Sequence, residues 1–101
     1  MKGDVEGALR DHAGAIAGAT GMSESQVLAA IDELDISSWS ATTLPADARA
    51  TGSFETSYHG TAATLTTYAD PSYVTVDAYG QRVTLSVPAS AQAYLSYLAY
   101  L

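Results

Sequence analysis

Four segments between Ala50 and Pro88 fall into a single antiparallel register, and no other feature of this 101-residue chain limits its fold so narrowly. With Gly80 and Gln81 as a two-residue hairpin loop, Ala78 pairs with Val83, Val76 with Leu85 and Val74 with Val87, all on one side. A loop of Ala69, Asp70, Pro71 and Ser72 sets Ala63 against Ala78, Leu65 against Val76 and Thr67 against Val74. With His59 and Gly60 as the third loop, Phe54 faces Leu65 and Thr56 faces Ala63. Phe54, Leu65, Val76 and Leu85 then form one row across four strands. Side chains alternate between faces, so a slip of one residue in any turn would break that row. The strands are expected near 50–58, 61–68, 73–79 and 82–87. Their other face carries serine, threonine, tyrosine and only three charges, Glu55, Asp77 and Arg82, which suits water on that side.

Before the sheet the spacing is helical. Val5, Leu9, His12 and Ile16 recur on one stripe and predict a helix near 4–19, with Gly21 as its stop. Gly14 and Gly18 lie four apart on it, where missing side chains would admit another backbone. Ser23 with Gln26 makes a capping-box start for a second helix, on which Val27, Ile31 and Leu34 share a face. Asp32, Glu33 and Asp35 crowd the end of that helix, the wrong pole of its dipole for negative charge, and call for an early stop near Leu34 or a cation. From Ile36 the composition shifts to Ser, Thr and Pro45, an irregular crossing anchored by Trp39. After Pro88 helical spacing returns, with Ala91, Tyr94, Leu95, Leu98 and Leu101 on one stripe.

The expected fold is α+β: two N-terminal helices, a four-stranded antiparallel meander, and a C-terminal helix packed on one sheet face. Residues 1–101 read as a single domain, with a helical part about 4–35, a crossing segment 36–49, the sheet about 50–87 and the last helix about 88–101.

Eleven acidic against four basic residues give a net charge of -7, and Lys2 is the one lysine. Alanine occurs 19 times, whereas valine, isoleucine and leucine together number 18. This mixture resembles in composition the proteins of salt-loving archaea, in which concentrated salt screens an acidic surface and strengthens apolar burial. A high-GC genome favouring alanine and threonine is the alternative source of the same bias. The absence of cysteine removes disulfides and thiolate chemistry. The acidic N-terminus does not resemble a secretory leader, and no apolar run reaches membrane-spanning length, so a cytoplasmic location without membrane contact is expected.

No Walker loop, dinucleotide fingerprint or nucleophile elbow occurs, and His12 and His59 have no second strong metal donor at helical or hairpin spacing apart from adjacent or nearby carboxylates. No catalytic residue, metal or cofactor is assigned. His12 reads as a hydrogen-bonded boundary residue and His59 as a turn residue with pH sensing or ligand contact as its functional reading. Lys2, Arg10, Arg49 and Arg82 are scattered among the acids, which disfavours nucleic acid. From Val83 to Leu101 there is no charge at all, although an exposed helix face normally carries some. Tyr97 and Tyr100 flank the last stripe, and Tyr79 stands opposite Arg82 at the Gly80 hairpin as a cross-strand pair. Tyr79, Arg82, His59, Tyr97 and Tyr100 are therefore the candidate binding residues.

The leading functional expectation is a small non-catalytic interaction module that self-associates or docks to a protein through the last helix and the neighbouring sheet. Element order alone suggests a winged-helix-like, transcription-related module as an alternative. A small-molecule binder or enzyme with its pocket between sheet and helices is the third reading.

Overall fold

In the computed structural model, which describes residues 2–58 and 60–100, three helices precede an antiparallel sheet and two short helical turns follow it. The helices are α1 (Lys2–Asp11), α2 (Ala13–Thr20) and α3 (Glu24–Leu34), followed by a 3-10 turn, Ile36–Ser38. The strands are β1 (Ser40–Thr42), β2 (Ala50–Tyr58), β3 (Thr61–Tyr68), β4 (Tyr73–Ala78) and β5 (Gln81–Ser86). A short α4 (Ala89–Gln92) and a 3-10 segment, Leu95–Tyr100, complete the order. The sheet runs β1-β5-β4-β3-β2, so the expected meander is present with one strand added at its β5 edge.

Two of the three expected hairpins have the expected register. Phe54 faces Leu65 and Thr56 faces Ala63; Leu65 faces Val76 and Thr67 faces Val74. The ring of Phe54 lies over Gly52, where an added Cβ would come within 2.9 Å of it, so glycine makes room for the ring beside a break in the β2 ladder. The third hairpin differs from expectation. Its loop is Tyr79 and Gly80, both at positive φ (55° and 72°), as a type I′ turn requires. Moving the loop back by one residue shifts the pairing by two, so each side chain keeps its face but changes partner. Val76 faces Val83 and Val74 faces Leu85, and the row across the sheet is Phe54, Leu65, Val76 and Val83. The same shift sets Asp77 opposite Arg82, where Arg82 Nε donates to Asp77 Oδ1 at 2.8 Å.

β1 was not expected as a strand. Its three residues, Ser40, Ala41 and Thr42, are all exposed, so they carry no alternation of apolar and polar positions. They pair with Ser86, Leu85 and Thr84 of β5.

The single N-terminal helix of the sequence reading is two helices in the structure, broken at His12. The residue sits at φ -95° and ψ 6°, its N–H is shared between the carbonyls of Ala8 (3.1 Å) and Leu9 (3.2 Å), and its ring Nδ1 lies 2.7 Å from the same Ala8 oxygen. The ring thus competes with the backbone for the carbonyl that a continuous helix would use. Gly14 and Gly18 have nothing within 4 Å of an added Cβ, so no backbone approaches them. Gly21 does end α2, at φ 73° with its N–H on Ala17 O.

α3 begins with the Ser23–Gln26 capping box, each side chain bonded to the other residue's backbone N–H. It stops at Leu34, with Asp35 in the left-handed region. Trp39 is buried and its Nε1 donates to Leu34 O at 2.8 Å, satisfying a carbonyl that the helix end leaves open. The cation that the acidic end calls for comes from α1: Arg10 bridges Asp32 and Glu6. Val5, Leu9, Ile16, Val27, Ile31 and Leu34 pack with Leu65, Val74, Val76 and Leu85 in one buried cluster.

The last element is not one helix. α4 has four residues, and beyond it Tyr94 N bonds Ala91 O and Tyr97 N bonds Tyr94 O, the three-residue spacing of a 3-10 segment. That spacing brings Leu95 and Leu98 above one another, and Leu98 is fully buried in the main cluster. Leu101 lies outside the described residues.

The outer sheet face is less open than expected. Thr75, in the central β4, is only 2% exposed, and its Oγ1 lies 2.7 Å from Tyr68 OH and 2.9 Å from Thr84 Oγ1. A row of three hydroxyls therefore satisfies itself across β3, β4 and β5.

Candidate functional site

The three candidate residues whose side chains are described, Tyr79, Arg82 and Tyr97, do not converge. Tyr79 and Arg82 remain at the β4–β5 tip beside an open cleft of about 310 Å³. They are not cross-strand partners as expected, because Arg82 faces Asp77, and Tyr79 occupies the loop itself with 58% of its surface exposed. The Asp77 carboxylate holds the Arg82 guanidinium above its ordinary pKa, chiefly through their hydrogen bond. His59 lies outside the described residues, as does the side chain of Tyr100.

Tyr97 belongs to a different surface. Its hydroxyl donates to Met22 Sδ at 3.0 Å, and its ring stacks with that of Tyr94 at a centroid distance of 6.3 Å. Both rings are half-buried, one side resting on the core cluster. With Met22, Ala29 and Ala30 they line a shallow, mainly apolar groove of about 250 Å³ between α3 and the C-terminal turns, where Glu33 is the one charged residue among those described. The helical face thus serves internal packing through Ala91 and Leu98 and presents tyrosine to a groove through positions 94 and 97.

A third surface joins residues that the sequence reading left apart. His12, at the break between α1 and α2, forms the wall of a cleft of about 500 Å³ whose floor is the β2–β3 hairpin. Thr56 and Ala63 face each other on that floor, and their strand neighbours Glu55, Ser57, Ala62 and Thr64, whose side chains alternate to the other face, line its rim. The Ala8 carbonyl can only accept, so His12 Nδ1 carries a proton and donates to it. Thr56 Oγ1 is shielded from solvent and has no hydrogen-bond partner among the described residues. The register carried a signal for this hollow, since a threonine opposite an alanine interrupts the row of apolar pairs on the inner face.

Elsewhere Arg10 is engaged in ion pairs with Glu6 and Asp32. Asp32 first, then Glu6, hold the Arg10 guanidinium above its ordinary pKa through hydrogen bonds. Asp70 accepts from Ser72 N at 2.9 Å, and that backbone bond holds its carboxyl below the usual carboxylate range. Among the described residues no group of three or more His, Asp or Glu side chains is placed to hold a metal ion, and no helix is long and apolar enough to cross a membrane.

No protein-family model matches this chain, and neither the curated proteins nor the solved structures include a match.

Proposed function

We propose that this protein is a small, non-catalytic interaction module that pairs with a second copy of itself through the groove between α3 and the C-terminal turns. The observation that carries this reading is the meeting of two features at one place: the charge-free stretch from Val83 to Leu101, and a groove in which Tyr94 and Tyr97 stack beside Met22 and Ala29. Tyrosine offers contact area with a polar tip at low rotamer cost, which suits a surface that is wet when free and covered when paired. The net charge of -7 makes two copies repel at low ionic strength and approach when salt screens them, in keeping with the salt-tolerant composition and a cytoplasmic setting.

Sedimentation equilibrium from low to molar salt tests this. The expected result is a dimer that strengthens with salt and is abolished by Ala29→Glu, a change at an exposed helical position. A monomer at every salt concentration, or a dimer that A29E leaves intact, overturns the reading. The nucleic-acid alternative gains no support from the geometry: α3 buries Val27, Ala30, Ile31 and Leu34, and its exposed positions include Glu24, Asp32 and Glu33.

A further inference from the structure

We infer that the open edge of β2 receives an extended peptide of a partner protein, in which apolar residues flank a basic one, as an added strand of the sheet. The register of the β2–β3 hairpin decides which backbone groups are open. A two-residue loop is closed by a hydrogen-bonded pair, here Tyr58 with Thr61, and such pairs recur at every second residue, so Thr56 bonds Ala63 and Phe54 bonds Leu65. The N–H and C=O groups of Ser53, Glu55 and Ser57 therefore point away from β3, and nothing among the described residues bonds them. The two edges of the sheet differ in this respect. On the β5 side the last strand is β1, with only three residues, and Pro45 follows it closely. On the other side β2 has nine residues with no proline, lysine or arginine, and beyond the break at Gly52 its ladder is regular. Proteins normally blunt such an edge by short length, proline or lysine.

The flanking side chains define what the peptide carries. Ser53, Glu55 and Ser57 are exposed on the outer face, and Glu55, the one charge of β2, has no ion pair among the described residues. A peptide residue opposite Glu55 faces the same way, so a lysine there gains a charge-assisted bond. The residues on either side of that lysine turn to the inner face. One meets the half-buried ring of Phe54, and the other stands beside Thr56, where the cleft of about 500 Å³ between His12 and the hairpin leaves room for an aliphatic side chain. Charge disfavours a second copy as the occupant. Pairing β2 with β2 would bring together two strands that each carry Glu55 and no cation, on chains of net charge -7.

The experiment is an NMR titration at low ionic strength, where two copies repel, with the peptide acetyl-Thr-Val-Lys-Val-Thr-amide. Saturable shifts on β2 are expected at high-micromolar to millimolar peptide. Hydrogen exchange should slow at the Ser53, Glu55 and Ser57 amides, whereas those of Phe54 and Thr56 are already bonded to β3. A peptide with glutamate in place of lysine, or with the backbone nitrogen of its lysine methylated, should bind roughly tenfold more weakly. Glu55→Lys, at an exposed position that retains the fold, should reverse the preference between the lysine and glutamate peptides. Ser53→Pro removes an outward N–H without touching the β3 ladder and should weaken binding as the methylated peptide does. The inference fails if the lysine peptide gives no saturable shift up to about 5 mM, if shifts come without slowed exchange at those amides, or if the lysine and glutamate peptides bind alike. It fails too if the same amides become protected in the free protein as its concentration rises, which would make a second copy the occupant. These readouts lie on β2, so they stand or fall separately from pairing at the groove of Tyr94 and Tyr97.

Discussion

Two threonines on opposite faces of the sheet show how differently one residue type can be used within a single ladder. Thr75 on the outer face is buried between two hydroxyl partners, and Thr56 on the inner face holds a buried hydroxyl with none among the described residues. A buried polar group that is satisfied adds specificity to the fold, whereas one left open is a stability deficit that persists only where something offsets it. The outer row of Tyr68, Thr75 and Thr84 is therefore structural, whereas the inner pair of Thr56 and Ala63 carries a hydroxyl without a partner among the described residues.

Substitution separates the two most sharply. Thr75→Val removes the centre of the hydroxyl row and strands its neighbours, so it should destabilise the protein by about 2 kcal/mol in denaturant unfolding. Thr56→Val should go the other way, raising stability by about 1 kcal/mol, because a methyl replaces a hydroxyl that lacked a partner. If both variants lose stability alike, Thr56 has a partner in solution and the contrast between the faces collapses.

Backbone strain extends the same comparison. Tyr79 holds a left-handed conformation that costs a non-glycine residue about 1–2 kcal/mol, and glycine returns part of that gain as chain entropy. Tyr79→Gly should accordingly stabilise by roughly 0.5 kcal/mol, visible as a small rise in the melting temperature. A loss of stability would mean that the exposed ring is held by more than the turn. The smallest effect concerns Asp70, whose carboxyl is held below its usual range by Ser72 N–H. A depressed carboxyl contributes stability above its unfolded pKa and loses it as pH falls through the folded value. The advantage of the parent chain over Asp70→Ala in thermal melts should therefore be full at neutral pH and shrink below about pH 4.

Where a residue's chemistry acts locally, the sequence was readable. Ser23 with Gln26, Gly21, Trp39 and the loop from Ala69 to Ser72 act through near neighbours, and each stands where the pattern puts it. The β4–β5 hairpin was misread because Gly80 serves either loop position. Alternation could not decide between them, since a shift of two residues returns every side chain to the same face. Strand β1 was invisible because three exposed residues have no period, and the break at His12 arises from a ring bonded to its own helix backbone, which stripe analysis does not see. The candidate cleft was illegible for a further reason. Its wall and floor come from distant parts of the chain, and whether a hydroxyl such as that of Thr56 finds a partner is decided only when they meet.

The placement of β1 bears on how the chain reaches its fold. The strand lies at one edge of the sheet and β2, next in sequence, at the other. Residues 43–49 must therefore cross four interstrand spacings, roughly 19 Å, and the eight Cα–Cα steps from Thr42 to Ala50 reach about 28 Å at full extension. This strap is not fully extended, since Ala48 N donates to Pro45 O at 3.1 Å in a turn within it, and Arg49 O fastens its far end by accepting from Ala69 N at 2.8 Å. The meander can zip from local turns, but β1 can dock on β5 only after β2 to β5 are assembled to their full width, which makes edge docking the late event in folding. Removing two residues from the strap would leave the meander able to form, but β1 could reach β5 only with the Pro45–Ala48 turn opened.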